Sequence, residues 1–350
     1  MRRRSLLAGL PALALAAALP ACGGRNRPGL EGDAGLPVPR PLSDLRLLAE
    51  GLASPEGVAT FPDGRVAVSA TGAACVLIEP DGALRRIGQA PAPAGLTIDR
   101  EGRVIIANFG LLHDTGGPLQ RLDLASGRLE TLVDAVDGRR LVASNAPAIG
   151  PDGAIYCTHS TWSNPSNVGT TEPTGFVYRV TREGEVSIVA DRIRGANGCC
   201  FDADFRHLFV AQTAAGNVLR YRRQPGGGYA DRQVWGGQLG EAPDNITVPE
   251  IFEAMDAAGR STLGHPDGVA LDVRGNLWVT LPFSNRIVAV SPEGRIAVVI
   301  DDPHAVHLQM PTNLAWGGRN LRDLYIVSRR NGRVYRLDNA GEGLAMPHWR

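Results

Sequence analysis

The chain contains no lysine, and all 36 of its basic side chains are arginine. A guanidinium does not give up its proton in proteins. Schiff-base chemistry and a Walker-type phosphate loop, both of which need a lysine amine, are therefore excluded. There is no charge excess either: 36 basic side chains balance 36 acidic ones, so no overall field favours nucleic acid or an anionic membrane. No Gly-x-Gly-x-x-Gly element follows a strand-like run, and no Gly-x-Ser-x-Gly turn is present; neither a dinucleotide fold nor a nucleophile elbow is indicated. The one long apolar run, Leu6 to Leu19, is interrupted by Pro11 and is too short to span a bilayer as a helix.

What is present points to a β protein rich in turns. The 350 residues include 43 Gly and 25 Pro, and 43% are hydrophobic, enough for one large all-β domain. The stretch His265 to Ile300 reads as four short strands, Gly268 to Asp272, Asn276 to Thr280, Arg286 to Ser291 and Arg295 to Ile300, separated by Gly, Pro and Asn. This is the pattern of an antiparallel meander. The unit recurs, with openings at Pro55-Glu56-Gly57-Val58-Ala59, Ala94-Gly95-Leu96, Asn145-Ala146-Pro147-Ala148, Asn197-Gly198-Cys199 and Asn313-Leu314-Ala315-Trp316. Six such units predict a six-bladed β-propeller with four-stranded antiparallel blades. The Trp-Asp signature of one common propeller class is missing. A strand near Leu45 to Leu48 and one near Val334 to Leu337 are expected to share a blade and close the ring.

The ends and the longest inter-repeat step carry further signals. Arg2-Arg3-Arg4 followed by the apolar run reads as an export signal over residues 1–22, and Arg3-Arg4-Ser5-Leu6-Leu7 looks like a twin-arginine motif. Leu19-Pro20-Ala21-Cys22-Gly23 resembles a lipobox, which predicts a periplasmic or lipid-anchored protein whose contact with the membrane is that anchor alone. Residues 23–43 read as a flexible tether and 44–350 as the propeller. The step before the fifth repeat holds an insertion at about 224–263. Within it, Thr247-Val248-Pro249-Glu250 resembles a helix start, and Ile251, Phe252, Met255 and Ala258 recur at helical spacing. Cys75, Cys157, Cys199 and Cys200 read as buried small hydrophobes. His159, His113 with Asp114, and His304 with His307 read as surface-loop residues.

In a propeller the starts of the innermost strands converge on the central channel. Aligned on their turns, the repeats put Glu56, Ala94, Asn145, Asn197, Asp267 and Asn313 in one column. Two carboxylates and an amide from Glu56, Asn197 and Asp267 are hard oxygen donors that suit Ca²⁺, Mg²⁺ or Mn²⁺. With no His or Cys in the column, Zn²⁺ is disfavoured.

Ser54-Pro55-Glu56-Gly57, Ala196-Asn197-Gly198, Pro266-Asp267-Gly268 and Pro311 to Gly318 with Leu324-Tyr325 resemble motifs of the senescence-marker-protein/gluconolactonase (regucalcin-like) family, as does the tail Gly341 to Pro347. The resemblance covers about residues 44–350. It implies a propeller that binds one divalent ion, often calcium, and hydrolyses a small-molecule lactone or ester. Carried over by residue, it makes Glu56, Asn197 and Asp267 the metal ligands and Asp267 also the base that activates water. Asn145 becomes a substrate-side amide, and Asn313, the sixth member of the column, a further substrate contact. Two positions depart from the family pattern. Ala146 follows Asn145 where the family often has Asp, and His159 stands where an acid is common; both weaken the case for a sugar lactone. Two other readings stay open: a strictosidine-synthase-like or arylesterase-like propeller, and a non-catalytic binding propeller with a structural ion.

Overall fold

Each blade starts from the same local chemistry. In blade 1 the chain reverses over Phe61 to Arg65, where Gly64 N–H donates to the Phe61 carbonyl (3.0 Å) and Phe61 N–H to that of Arg65 (2.8 Å). The Asp63 carboxylate accepts from the Arg65 amide at 3.1 Å. In blades 2 and 5 the position of Phe61 is taken by Asp99 and Asp272, whose carboxylates accept from the amides two and four residues on. Gly64, Gly102, Gly153 and Gly275 supply the positive φ that such turns demand, at +92°, +77°, +76° and +82°. Local turn chemistry of this kind sets the register between the first and second strand of a blade.

The computed structural model describes residues 35–162 and 172–350. Residues 1–22 with Cys22, and the first part of the expected tether, lie outside the described residues. Six four-stranded antiparallel sheets form a six-bladed β-propeller. Blade 1 comprises Val58–Thr60, Val66–Ala70, Ala73–Ile78 and Leu84–Ile87; blade 2 comprises Pro93–Ile98, Val104–Asn108, Leu119–Leu122 and Leu129–Val133. Blade 3 is built from Ser144–Ile149, Ile155–His159, Gly175–Val180 and Val186–Ile193, and blade 4 from Ala196–Phe201, His207–Gln212, Asn217–Arg223 and Tyr229–Gln238. Blade 5 holds Val269–Leu271, Leu277–Leu281, Arg286–Val290 and Ile296–Asp301. Blade 6 takes Pro311–Gly317, Asp323–Ser328 and Arg333–Leu337 from the end of the chain and Leu45–Ala49 from its beginning. The register Leu45↔Leu337 and Leu47↔Tyr335 closes the ring as expected and removes its open edge.

The core lies between blades. Phe61, Leu77, Leu96 and Ile106 fill the space between blades 1 and 2, and Trp278, Ile300, Leu314 and Trp316 that between blades 5 and 6. Both faces of an inner strand are covered, so strands such as Val66–Ala70 and Ala73–Ile78 are buried at every position. At the channel axis the first strands meet backbone to backbone. A Cβ on Gly95 would lie 2.4 Å from the Asn145 carbonyl oxygen, one on Gly198 2.4 Å from that of Asp267, and one on Gly57 2.7 Å from the Leu96 nitrogen. The far end of the channel is plugged by the C-terminal tail, whose His348 and Trp349 ring nitrogens reach the Thr60 carbonyl at 2.8 and 3.2 Å.

Several expectations need correction. Gln224 to Gly228 is a hairpin turn inside blade 4, so the inserted chain begins only after Gln238. Thr247 and Glu250 do form a reciprocal capping box, with Thr247 N–H donating to Glu250 Oε2 (2.7 Å) and Glu250 N–H to Thr247 Oγ1 (3.3 Å). The expected single helix is nevertheless two short pieces. A π-helical turn, Glu250–Ala254, ends where Met255 turns extended, and Asp256 caps a separate α-helix, Ala257–Ser261, by accepting from Gly259 N–H at 2.8 Å. The end of the expected tether lies against the propeller: Gly35 O accepts from Asn276 Nδ2 (2.8 Å), and Arg40 N–H donates to Val299 O (2.7 Å). His159 is fully buried on a strand. It accepts from Ala143 N–H at 3.1 Å and stacks on Phe176 at 4.7 Å, and burial followed by Arg139 pushes its imidazole down to about 3. It serves the packing of blade 3 as a neutral acceptor. Cys75, Cys157, Cys199 and Cys200 are free and buried.

The close approach at the axis makes a prediction. Gly95→Ala should cost about 1–3 kcal/mol of stability by overpacking. Gly226→Ala, at an exposed position with open space around the added Cβ, should stay within about 0.5 kcal/mol. Paired denaturant titrations measure the difference; equal stabilities would refute the steric account of the axis.

Candidate active site

Just where the first strands reach the axis, four of them carry an irregularity in register: between Pro93 and Leu96, Ser144 and Pro147, Ala196 and Cys199, and Pro311 and Asn313. A bulge re-aims one side chain out of the sheet. The residues at this position are Glu56, Ala94, Asn145, Asn197, Asp267 and Thr312, and all of them line one cavity of ≈ 730 Å³ at the channel mouth. Five of the six are the column read from the sequence. The sixth is corrected by one residue. Leu314 pairs with Ile326 as Val269 pairs with Val279, so Asn313 is the counterpart of Gly268. It lines a hollow on the other side of the ring, and its Oδ1 accepts from Leu314 N–H at 2.9 Å. Thr312 takes its place at the mouth.

A second column runs beside the first and was not anticipated. The residue that follows the second strand of each blade is Thr71, Phe109, Ser160, Thr213, Pro282 or Arg329, and these too line the cavity. Aligning the repeats at the end of the second strand, as well as at the start of the first, would have found them. Ser160 Oγ donates to the Ala196 carbonyl (2.7 Å) and Thr213 Oγ1 to that of Pro266 (2.8 Å), each bridging to the next blade. Each also receives an amide of the first column: Asn145 Nδ2 donates to Ser160 Oγ at 3.0 Å and Asn197 Nδ2 to Thr213 Oγ1 at 3.1 Å. With the amide nitrogens so held, the amide oxygens are the atoms presented to a ligand.

The electrostatics centre on Glu56, Asp267 and Arg329. The Glu56 carboxylate is ion-paired with the Arg329 guanidinium. Asp267 is buried, and its carboxyl is held well above the usual carboxylate range, first by desolvation and then by the charge of Glu56; Arg329 and a hydrogen bond from Asn197 oppose this rise. A carboxylate pair in which the charge of Glu56 opposes ionisation of Asp267, with an amide oxygen beside it, is a donor set that fits a hard divalent cation. Among the described residues no three His, Cys, Asp or Glu side chains cluster, so Asn197 has to complete such a set. Arg329 is the built-in cation already paired with Glu56, and a metal ion would share that carboxylate with it or displace it.

The roof of the cavity comes from the inserted segment. Val248, Pro249, Phe252 and Glu253 line it together with Phe283 and Met310. Phe252 meets Phe283 edge-on at 5.8 Å, and the Arg330 guanidinium lies 4.1 Å from the centroid of Phe252. His113, expected on a solvated surface, is exposed but sits at the rim of this cavity. His304 is exposed and His307 half-buried against Tyr335; neither lines it.

Residues 55–330 match the family model for the SMP-30/gluconolactonase/LRE-like region, and both columns fall inside that span. The chain belongs to the SMP-30/gluconolactonase/LRE-like family. Among curated relatives, a 6-deoxy-6-sulfogluconolactonase of Pseudomonas putida is 27% identical over 159 residues, 45% of this chain and 46% of that protein. The chain thus spans about half the length of the first curated relatives it matches. Among solved structures, the gluconolactonase XC5397 of Xanthomonas campestris superposes with a TM-score of 0.64 at 21% identity, covering 87% of this chain and 95% of that one. The calcium-binding protein regucalcin of Agrobacterium tumefaciens gives 0.64 at 17% identity, covering 87% and 97%. At these identities the likeness to solved structures is one of fold.

In metal-free protein the raised Asp267 carboxyl has a definite sign. A carboxyl whose folded pKa lies above its unfolded one costs stability once pH exceeds the unfolded value, and the cost vanishes on acidification below it. Asp267→Asn should therefore raise the melting temperature at pH 7 in the presence of chelator, with the gain fading towards pH 4 and below. Thermal melts across that range decide it; a pH-independent difference would refute the coupling.

Proposed function

We propose that the protein is a lactone hydrolase whose reaction takes place at the channel mouth and depends on a divalent cation, with Ca²⁺ the first candidate and Mg²⁺ or Mn²⁺ next. The observation that carries this reading is the convergence of Glu56, Asn197 and Asp267 on one cavity, in a chain whose family includes gluconolactonases. Glu56, Asn197 and Asp267 would hold the cation, which when bound supplies Lewis-acid polarisation of the lactone carbonyl. The protein's own groups account for the rest. Asp267, buried beside Glu56, would be the base that accepts the proton of an attacking water; in the loaded site the cation favours its ionised, proton-accepting form. Asn145, with its amide nitrogen fixed by Ser160, orients its carbonyl oxygen towards a substrate hydroxyl or that water. Arg329, always charged, is placed beside both carboxylates to balance the negative charge that develops as the ring carbonyl is attacked. Export through residues 1–22, with lipidation at Cys22, is part of the same proposal and would place this chemistry in the cell envelope.

The test is hydrolysis of a lactone and aryl-ester panel by metal-loaded and chelated protein. Chelation should abolish turnover and readdition of Ca²⁺ should restore it. Asp267→Asn and Glu56→Gln should lower kcat/KM by about 10²–10⁴-fold. A calcium-dependent stabilisation of about 2.7 kcal/mol at 100 times the Kd, read as a rise in melting temperature, should appear in the wild type and be lost in Glu56→Gln. That thermal shift without any turnover would favour a binding propeller with a structural ion. Unimpaired hydrolysis by chelated Asp267→Ala would sink the mechanism.

A further inference from the structure

The floor and the roof of the cavity differ in kind, and the difference bears on what the site accepts. At the floor most polar groups are already engaged. The hydroxyls of Ser160, Thr213 and Thr312 donate to the carbonyls of Ala196, Pro266 and Glu56 at 2.7, 2.8 and 3.1 Å. The nitrogens of Asn145 and Asn197 are held by two of those hydroxyls at 3.0 and 3.1 Å. The floor therefore offers a small set of oxygens and the Arg329 guanidinium, enough to orient a single polar function. Above it, Phe109, Val248, Phe252, Phe283 and Met310 line the wall, and opposite them runs the Ala90-Pro91-Ala92-Pro93-Ala94 stretch that enters blade 2. None of these side chains donates or accepts a strong hydrogen bond; the charged members of the upper lining, Glu253 and Arg330, and His113 at the rim are exposed, with Arg330 laid over the Phe252 ring.

A sugar lactone carries a hydroxyl on nearly every ring carbon. Each hydroxyl taken from water into this wall without a partner costs binding. An alkyl or aryl substituent would instead gain from burial there. The roof is also well supported: Ile251, Leu263 and Phe283 form a buried cluster of their own, on which Val248, Phe252 and Met310 pack. The inserted segment beyond Gln238 is thus anchored as a wall of the site.

We propose that the substrate is a lactone bearing an apolar alkyl or aryl substituent, with the ring carbonyl at the Glu56–Asn197–Asp267 floor and the substituent against Phe252, Phe283 and Val248. This rests on the lactone-hydrolase reading above. The experiment compares kcat/KM for γ-butyrolactone, γ-nonalactone and glucono-δ-lactone with Ca²⁺-loaded protein. Alongside, calorimetry measures binding of two non-hydrolysable lactams, 2-pyrrolidinone and 5-pentyl-2-pyrrolidinone. The expected result is at least a tenfold preference for γ-nonalactone over γ-butyrolactone, since a single methylene in an apolar pocket is worth about 10–200-fold, with glucono-δ-lactone poorest of the three. The pentyl lactam should bind at least tenfold tighter than the bare one. Phe252→Ser and Val248→Asn, both at partly exposed positions and checked for folding by thermal melts, should each shrink the nonalactone preference and the lactam preference together. Turnover of glucono-δ-lactone equal to or above that of γ-nonalactone would overturn the substrate class and leave the hydrolase reading intact. Selective binding of the pentyl lactam with no turnover of any lactone would support the apolar subsite and overturn the hydrolase reading. Absence of both turnover and lactam binding would overturn the two together.

Discussion

Six first strands crowd around one axis, and at four of them the room towards the next blade is smaller than a methyl group. A Cβ on Gly57, Gly95, Gly198 or Gly268 would come within 2.4–2.7 Å of the next blade's backbone, and the hydrogen bonds Gly198 N–H to Asp267 O (3.0 Å) and Gly268 N–H to Thr312 O (2.9 Å) tie neighbouring blades at that point. Ala146 and Asn313 hold the same position in blades 3 and 6 and carry a side chain there. This tight girdle fixes how far each first strand can reach inward. The residue just before it in the chain is pushed to the channel mouth, and in blades 2, 3, 4 and 6 an irregularity in register accompanies the turn of its side chain into the cavity. The chemistry of the site is therefore a by-product of the packing constraint: side chains of Glu56, Asn145, Asn197, Asp267 and Thr312 have only the mouth to enter.

Hydroxyls carry the same ring outward. Ser69 donates to the Ala94 carbonyl, and Thr280 Oγ1 to that of Thr312 at 3.1 Å; Ser160 and Thr213 do likewise between later blades. Each of these residues belongs to one blade and bonds to the next, and with Thr312 Oγ1 on the Glu56 carbonyl they brace five of the six seams between blades. A braced mouth holds Glu56 and Asp267 near each other despite their repulsion, and keeps Arg329 paired with Glu56 as a standing counter-charge. The ion-paired Glu56 and the buried, hard-to-ionise Asp267 are thus two oxygen donors in unlike surroundings. The inserted segment after Gln238 adds a largely apolar roof to this polar floor.

The sequence alone determined the propeller, because its evidence is local. Asp-Gly turns, short apolar strands and their sixfold recurrence are each set by neighbours a few residues apart, and the pairing of Leu45–Ala49 with Arg333–Leu337 follows from counting strands. It also determined most of the mouth, since Glu56, Asn145, Asn197 and Asp267 each sit next to a repeat landmark. What it could not supply is whatever depends on three-dimensional register or distant contact. The sixth blade was off by one because Asn313-Leu314-Ala315 looks like the opening of the other repeats, and only strand pairing shows that Thr312 is the exposed member. Helical periodicity from Ile251 to Ala258 was real, but Asp256 caps a new turn and splits the segment. Arg329 became visible only in the folded ring, where a residue 273 positions from Glu56 is its ion-pair partner: a charge pair of that separation leaves no pattern along the chain, and only closure of the ring brings its members together.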